Sequence, residues 1–360
     1  MNVLHYAGIR ENMSSGVSVI VPEIVNAQSE LMNVCFYNYG ESSFEISNNI
    51  IALDRQSNDD YHTFLPPFNK PDIVVFHSPY GIRKSLHISA MLRKEKIPYV
   101  IVPHGCFSFE ALRKKKIKKW IANRIFFEKM FQGASAIQFL SKGEREASIY
   151  KEKGIIVPNA VQLPIDVIRN ENRVGIQIAF VGRKDIYHKG LDLLIKACGN
   201  IRDELRKRDV HVYLYGPYEN NNESELKALI SENGLEDIVY DCNPIYGKEK
   251  ENVFMKTDVI ALTSRSEGLP GIVLEAWAYG CPTLLTPGSN MAEEAVENNC
   301  GWKAETSDAD IARVIMEIVK KPDYIREKSN CAFHYVREKY RWSVIAQKYV
   351  DEYKIIIGRN

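Results

Sequence analysis

The sequence is poor in the features that mark several protein classes, and each absence narrows the field. Its seven cysteines are odd in number and include no CxxC pair, which argues against a disulfide framework and a zinc ribbon and points to a reducing, cytoplasmic compartment. No run approaches the roughly 18 uninterrupted apolar residues of a membrane-spanning helix. The opening MNVLHYAGIRENMSSG has no basic leader followed by an apolar stretch, so no signal peptide is expected either. Net charge is scarce, +1 from 47 basic and 46 acidic residues, which gives no bulk attraction for nucleic acid. No GxGxxG follows the first apolar run, which counts against a nicotinamide-dependent enzyme. No acidic pair stands after a strand end and no His/Cys spacing suits a metal, so no metal cofactor is expected.

What is present is an ordinary globular composition, 45% hydrophobic and 26% charged over 360 residues, more chain than one core usually organises. Two domains are expected. Short apolar runs ending in Gly, Pro or a polar turn recur: NVLHYAG, NVCFYNYG, PDIVVFHS, PYVIVPHG, SAIQFLS and GIIVPNAV. They read as buried parallel strands, and the amphipathic stretches 81–94 and 110–130 are long enough to cross between them as helices. A segment rich in Pro and Asn, 157–175, interrupts, and the cycle restarts with IQIAFVG, HVYLYGP, DIVYDCN, DVIALTS and PTLLTP. The reading is α/β: two doubly wound, Rossmann-like domains at 1–160 and 176–342, a linker at 161–175, and a final helix, 343–360, expected to pack back on the first domain. Open α/β sheets bind ligands at strand carboxyl ends, so the expected site is a cleft where the two domains face each other.

The stretch SEGLPGIVLEAWAYGCP, residues 266–282, sets Glu267 and Glu275 on either side of a turn. Pro270 suits the first position of a helix and Gly280 its C-cap. The N–H groups of Gly271 and Ile272 would then point out of the helix start, where unpaired donors and the dipole attract phosphate. The acids do not suit a glycosidase pair, which stands about 5 to 9.5 Å apart, because eight residues of helix would separate them by roughly 12 Å. One elongated ligand fits better: a ribose at Glu275, a diphosphate at the helix start, a sugar at Glu267. The plain alternative is a solvated Glu267 and a Glu275 merely on a helix face. A second constellation, IAFVGRKDIYHKGLDLLIKA, places Arg183 and Lys189 in one strand-to-helix loop, two cations suited to a departing diphosphate. Its own alternative is a basic surface loop.

Together, Gly182-Arg183, Lys189-Gly190 and the E-x7-E element of SRSEGLPGIVLEAWAYGCPTLLT resemble the signature of glycosyltransferase family 4, retaining enzymes of GT-B fold. The resemblance implies that Glu275 holds the donor ribose and Glu267 the transferred hexose. Arg183 and Lys189 would grip the diphosphate, with Gly182, Leu269, Pro270, Gly271 and Ile272 shaping its seat. His104, in VPHGCFS, would face sugar and acceptor, and Gly16 would open the first helix after a glycine-rich loop; here SSGV carries one Gly where two are common. Ile245, in CNPIYGKEK, falls where such enzymes contact the base. His77, ending PDIVVFHS, reads as a structural residue. With the acids occupied, no carboxylate is left as nucleophile, so the expected reaction is front-face transfer with retention, without metal. The implied partners are a nucleotide-sugar donor and a saccharide acceptor, lipid-linked in O-antigen, capsule or other surface polysaccharide. A nucleotide-sugar 2-epimerase of the same fold and a non-catalytic sugar- or nucleotide-binding protein are the alternatives. The basic amphipathic segment 111–131 could lie on the anionic inner face of the cell membrane or pack as a domain helix with its lysines in water.

Overall fold

The computed structural model describes residues 1–9, 16–39, 51–54, 60–77, 83–104, 127–146, 148–167 and 175–359. They form two compact units: Met1–Asn159 with Trp342–Asn360, and Ala160–Arg341.

Unit 1 runs β1 (Asn2–Ala7), α1 (Gly16–Ser29), β2 (Asn33–Asn38), β3 (Ile51–Asp54), β4 (Ile73–His77), α2 (Arg83–Glu95), β5 (Tyr99–Val102), α3 (Glu128–Gly133), β6 (Ala136–Phe139), α4 (Lys142–Glu146) and β7 (Gly154–Ile156). Its strands pair in the order β3-β2-β1-β4-β5-β6-β7, and every pairing is parallel. Parallel strands covered on both faces must be apolar throughout, and β4 and β5 are buried at every residue. The core gathers Tyr6, Tyr37, Phe76, Tyr99, Phe131 and Phe139. Of the basic segment 111–131, residues 111–126 lie outside the described residues; Phe127, Met130 and Phe131, which lead through α3, are buried.

Unit 2 runs β8 (Ile176–Val181), α5 (Leu191–Asn200), α6 (Arg202–Lys207), β9 (Val210–Tyr215), α7 (Glu223–Glu232), β10 (Val239–Cys242), α8 (Gly247–Lys256), β11 (Val259–Leu262), α9 (Gly271–Ala278), β12 (Thr283–Leu285), α10 (Ala292–Glu297), β13 (Gly301–Lys303), α11 (Asp308–Lys320) and α12 (Asp323–Lys339). The sheet order is β10-β9-β8-β11-β12-β13, again parallel. The order reverses between β8 and β11, the switch point at which such sheets open a crevice beyond their carboxyl ends. The last helix, α13 (Trp342–Gly358), belongs to unit 1, where it packs on α1 and Gln138 Nε2 donates to its Tyr349 hydroxyl at 3.1 Å. Among the described residues no helix is long and apolar enough to cross a membrane.

Candidate functional site

In unit 2 the residues singled out by sequence gather where the order of strands reverses. The ends of β8 and β9 meet closely: a Cβ at Gly216, φ +143°, would lie 1.8 Å from the Gly182 carbonyl oxygen. Beyond Gly182 the chain alternates. Arg183 points outward, 54% exposed, with Nε 3.2 Å from Glu219. Lys184 turns inward and is buried, donating to Asp241 Oδ1 and the Cys242 carbonyl at 2.5 and 2.6 Å, which fastens the loop to β10. The loop closes at Gly190, in the left-handed region at φ +65°, where a Cβ would sit 2.0 Å from the Thr263 carbonyl oxygen. Only glycine lets α5 start so close to β11.

The loop after β11 is fastened to this one. Glu267 Oε1 accepts from Lys189 Nζ and from Ser264 Oγ, both at 2.6 Å. Asn290 Nδ2 donates to the Glu267 and Gly268 carbonyls at 2.6 and 3.1 Å, fixing the backbone that carries the acid. Arg265 forms a bidentate pair with Asp192 at 2.7 and 2.8 Å, a geometry that fixes direction as well as distance. Its guanidinium also lies 4.1 Å over the Tyr187 ring.

Helix α9 supplies the third part. Pro270 is its N-cap rather than its first residue, with φ −74° and ψ 104°; that extended ψ holds Pro270 outside the helix, and Gly271 begins it. Gly280 likewise stands one place beyond the C-cap, Tyr279, at φ +67°. The bonds Gly280 N–H to Trp277 O and Cys281 N–H to Ala276 O make this a Schellman end. The N–H groups of Gly271 and Ile272, in the first turn, have no intrahelical acceptor. A Cβ at Gly271 would meet only Glu275 Oε1, at 4.0 Å, so Glu275 reaches back toward the helix start, and Gly271 otherwise faces open space. Glu275 is ion-paired with Lys250 of α8. Ile245, Ile272 and Tyr279 pack against one apolar cluster that includes Phe254 and Ala276, so the β10–α8 loop and the helix share a core, and Leu269 and Pro270 are buried.

Arg183, Lys189, Glu267, Gly271, Ile272, Glu275 and Ile245 are thus carried by neighbouring loops of one sheet. Gly16 and His104 belong to unit 1. Gly16 begins α1, and the loop before it lies outside the described residues. His104 follows β5 with φ 48°, a left-handed conformation uncommon for a residue with a side chain, and its Nε2 is 3.1 Å from His77 Nδ1. Desolvation holds the His104 pKa down to about 4. His77 is buried and bonded on both ring nitrogens. Sequence reasoning did not find the partners Glu219, Lys250, Asp192, Arg265 and Asn290. Among the described residues no group of three or more His, Cys, Asp or Glu is placed to hold a metal ion.

Comparison with known proteins finds likenesses to glycosyltransferases over part of the chain. Residues 165–332 match the family model described as glycosyl transferases group 1. The D-inositol 3-phosphate glycosyltransferase of Arthrobacter sp. is 26% identical over 185 residues, 48% of this chain and 44% of that one. The MMP alpha-(1->4)-mannosyltransferase of Mycolicibacterium hassiacum is 25% identical over 246 residues, 68% of this chain and 57% of that one. The chain therefore spans about half the length of the curated relatives it matches. The crystal structure of Anabaena HepE in complex with UDP and glucose aligns with a TM-score of 0.70 at 15% identity, covering 98% of this chain and 99% of that one. The fold is GT-B, α/β in two Rossmann-like units.

Proposed function

We propose that this chain is a retaining glycosyltransferase that moves a hexose from a nucleoside diphosphate sugar to a saccharide acceptor without a metal ion. The observation that carries the reading is the set of groups on the switch-point loops of unit 2: two cations, Arg183 and Lys189, a helix start with free N–H groups, and two carboxylates set apart along one ligand's length. The Anabaena structure, of the same fold, holds UDP and glucose, the ligand class this layout suits.

The chemistry follows from charge. As the diphosphate leaves, negative charge builds on its oxygens, and Arg183, Lys189 and the N–H groups of Gly271 and Ile272 stabilise it where it develops. Glu275 accepts from the ribose hydroxyls and Glu267 from those of the hexose, which positions the anomeric carbon. With both acids so engaged, the acceptor hydroxyl enters on the face the diphosphate leaves, and a phosphate oxygen takes its proton. Configuration is retained. The acceptor is read as a lipid-linked saccharide of a surface polysaccharide, from the basic amphipathic sequence at 111–131.

The test begins with thermal shift against UDP, GDP, dTDP and CMP sugars in EDTA, followed by transfer assays with the stabilising donor. One donor class should raise the melting temperature. Lys189→Ala and Arg183→Ala should each cut transfer by about 10²-fold or more, the scale of losing one fixed charge-stabilising group, with the fold intact. Wild-type rates in both variants, or loss of transfer in EDTA that manganese restores, would refute the reading.

A further inference from the structure

Unit 1 contains a row of three histidines. His5 of β1 aligns with Val75 of β4, and His77 of β4 aligns with Val102 of β5; each next histidine, His77 and then His104, stands two residues beyond the aligned position. A step of two keeps a side chain on the same face of a sheet. The three rings therefore form a diagonal across neighbouring strands, rising toward their carboxyl ends. Their centroids are 5.3 and 5.4 Å apart and successive ring planes differ by only 17° and 27°. His5 Nδ1 is 3.0 Å from His77 Nε2, and His77 Nδ1 is 3.1 Å from His104 Nε2. At the inner end, His5 Nε2 is 2.9 Å from Oε1 of Gln28, on α1.

We propose that Gln28, His5 and His77 are positioning residues that hold His104 in the tautomer with its proton on Nε2, so that Nδ1 is presented only as a hydrogen-bond acceptor, for a sugar hydroxyl. The argument is a count of protons. A neutral imidazole has one N–H and one lone pair, and each joint of the row needs one proton. Fixing one end fixes the whole row. Gln28 Oε1 can only accept, so His5 carries its proton on Nε2 and accepts at Nδ1 from His77. His77 in turn accepts at Nδ1 from His104 Nε2–H, which leaves the lone pair of His104 on Nδ1. The reverse set would need the Gln28 amide turned over. In the present orientation its Nε2 faces the buried Tyr353 hydroxyl of α13 without meeting it at hydrogen-bond geometry. Additional protons are kept out by burial: desolvation lowers His5 to about 4 and His77 well below its ordinary value, with the neighbouring histidines adding to the shift at His77.

The consequence is selectivity by proton count. A locked acceptor rewards a hydroxyl and opposes a carbonyl or fluorine, which bring a second lone pair to the same place; sites built to bond a hydroxyl discriminate strongly against analogues without one. The sugar as the group facing His104 rests on the proposed function; the tautomer does not.

The test is two-bond ¹H–¹⁵N correlation of imidazole nitrogens in full-length protein labelled with [¹⁵N]histidine, at pH 7 without ligand, assigned through His5→Gln, His77→Gln and His104→Gln. All three rings should be neutral with the proton on Nε2. Gln28→Leu should leave His104 divided between both tautomers, and Gln28→Glu, which still offers an acceptor, should keep it on Nε2. A wild-type His104 with its proton on Nδ1, a charged His104, or a Gln28→Leu protein with the wild-type pattern overturns the proposal. If Gln28→Leu does not fold, loss of the Nε2–H signal of His104 in Gln28→Glu does so. Should the tautomer be locked while His104→Ala transfers sugar at the wild-type rate, the sugar reading of His104 fails and the relay stands.

Discussion

At the scale of single residues, every charged group assigned to the donor is already paired within unit 2: Arg183 with Glu219, Lys189 with Glu267, and Glu275 with Lys250. A ligand that takes Glu275 must displace Lys250. That pair is 27% and 35% exposed, and ion pairs open to solvent contribute about 0.2 to 1 kcal/mol, so Lys250→Ala should tighten donor binding by about 1.4- to fivefold while Glu275→Ala weakens it. Calorimetric titration with the donor found by thermal shift reads both; weaker binding in Lys250→Ala would show that the lysine contacts the ligand instead. Of the four charges proposed for the donor, Arg183, Lys189 and Glu267 stand out in sequence because each sits beside a glycine that fixes where the chain turns, and Glu275 by its spacing from Glu267. Their partners do not. Glu219 lies on the loop after β9 and Lys250 on α8 after β10, and they reach Arg183 and Glu275 only because the sheet sets β10, β9, β8 and β11 in that order, an ordering that no local pattern of residues carries.

At the scale of elements, glycine marks where two segments approach more closely than a side chain allows. Gly190 and Gly234 both adopt left-handed backbone, φ +65° and +64°, but a Cβ at 190 would lie 2.0 Å from Thr263 O while one at 234 would meet nothing within 4 Å. The left-handed conformation alone costs about 1 to 2 kcal/mol for alanine. Gly234→Ala should therefore cost about that, and Gly190→Ala several times more, because backbone must shift where α5 leaves β11. Urea unfolding of the two variants separates strain from clash; equal costs would mean that the α5 start yields without resistance. Strands with a continuous apolar run were readable, and eleven of the runs quoted above became strands. The edges β3 and β13 were not. An edge strand is paired on one side only, so it can be short: β13 is GWK, with one large apolar residue, and β3 is IALD. β13 does not rise above its surroundings, and β3 falls in the short run IIAL, which carries no turn signal of Gly or Pro at its end. Helix α9 was readable to within one residue at each end, the error being that a proline in extended conformation caps a helix without joining it.

At the scale of the whole molecule, the two units differ in how they meet acid. His5 and His77 are buried in unit 1, whereas His188, His211 and His334 of unit 2 are not. A histidine whose pKa is lowered on folding takes up its proton later than it would in the unfolded chain. Its contribution is therefore present above the unfolded value near 6.5, falls as pH drops through it, and stops falling at the folded value, about 4 for His5 and His104. Each group contributes at most about 1.4 kcal/mol per pH unit, so His5 and His104 together withdraw about 4 kcal/mol between pH 7 and pH 5, and His77, lowered by desolvation and by the neighbouring histidines, adds in the same direction. That is comparable to the entire stability of many domains. His62 runs the other way, its hydrogen bonds to Asp60 and Glu95 raising its pKa despite desolvation, but its side chain is 42% exposed and solvent screens the effect. Calorimetric unfolding should accordingly resolve into two transitions as pH falls from 7 to 5, with unit 1 melting first. Adding the nucleoside diphosphate without its sugar should raise only the other transition. His77→Gln, which cannot take up the proton, should reduce the pH slope of the first transition by about a third, whatever its cost at pH 7. A first transition that holds its temperature across that range would mean that the row of histidines accepts protons without unfolding, and that its rings are solvated rather than sealed.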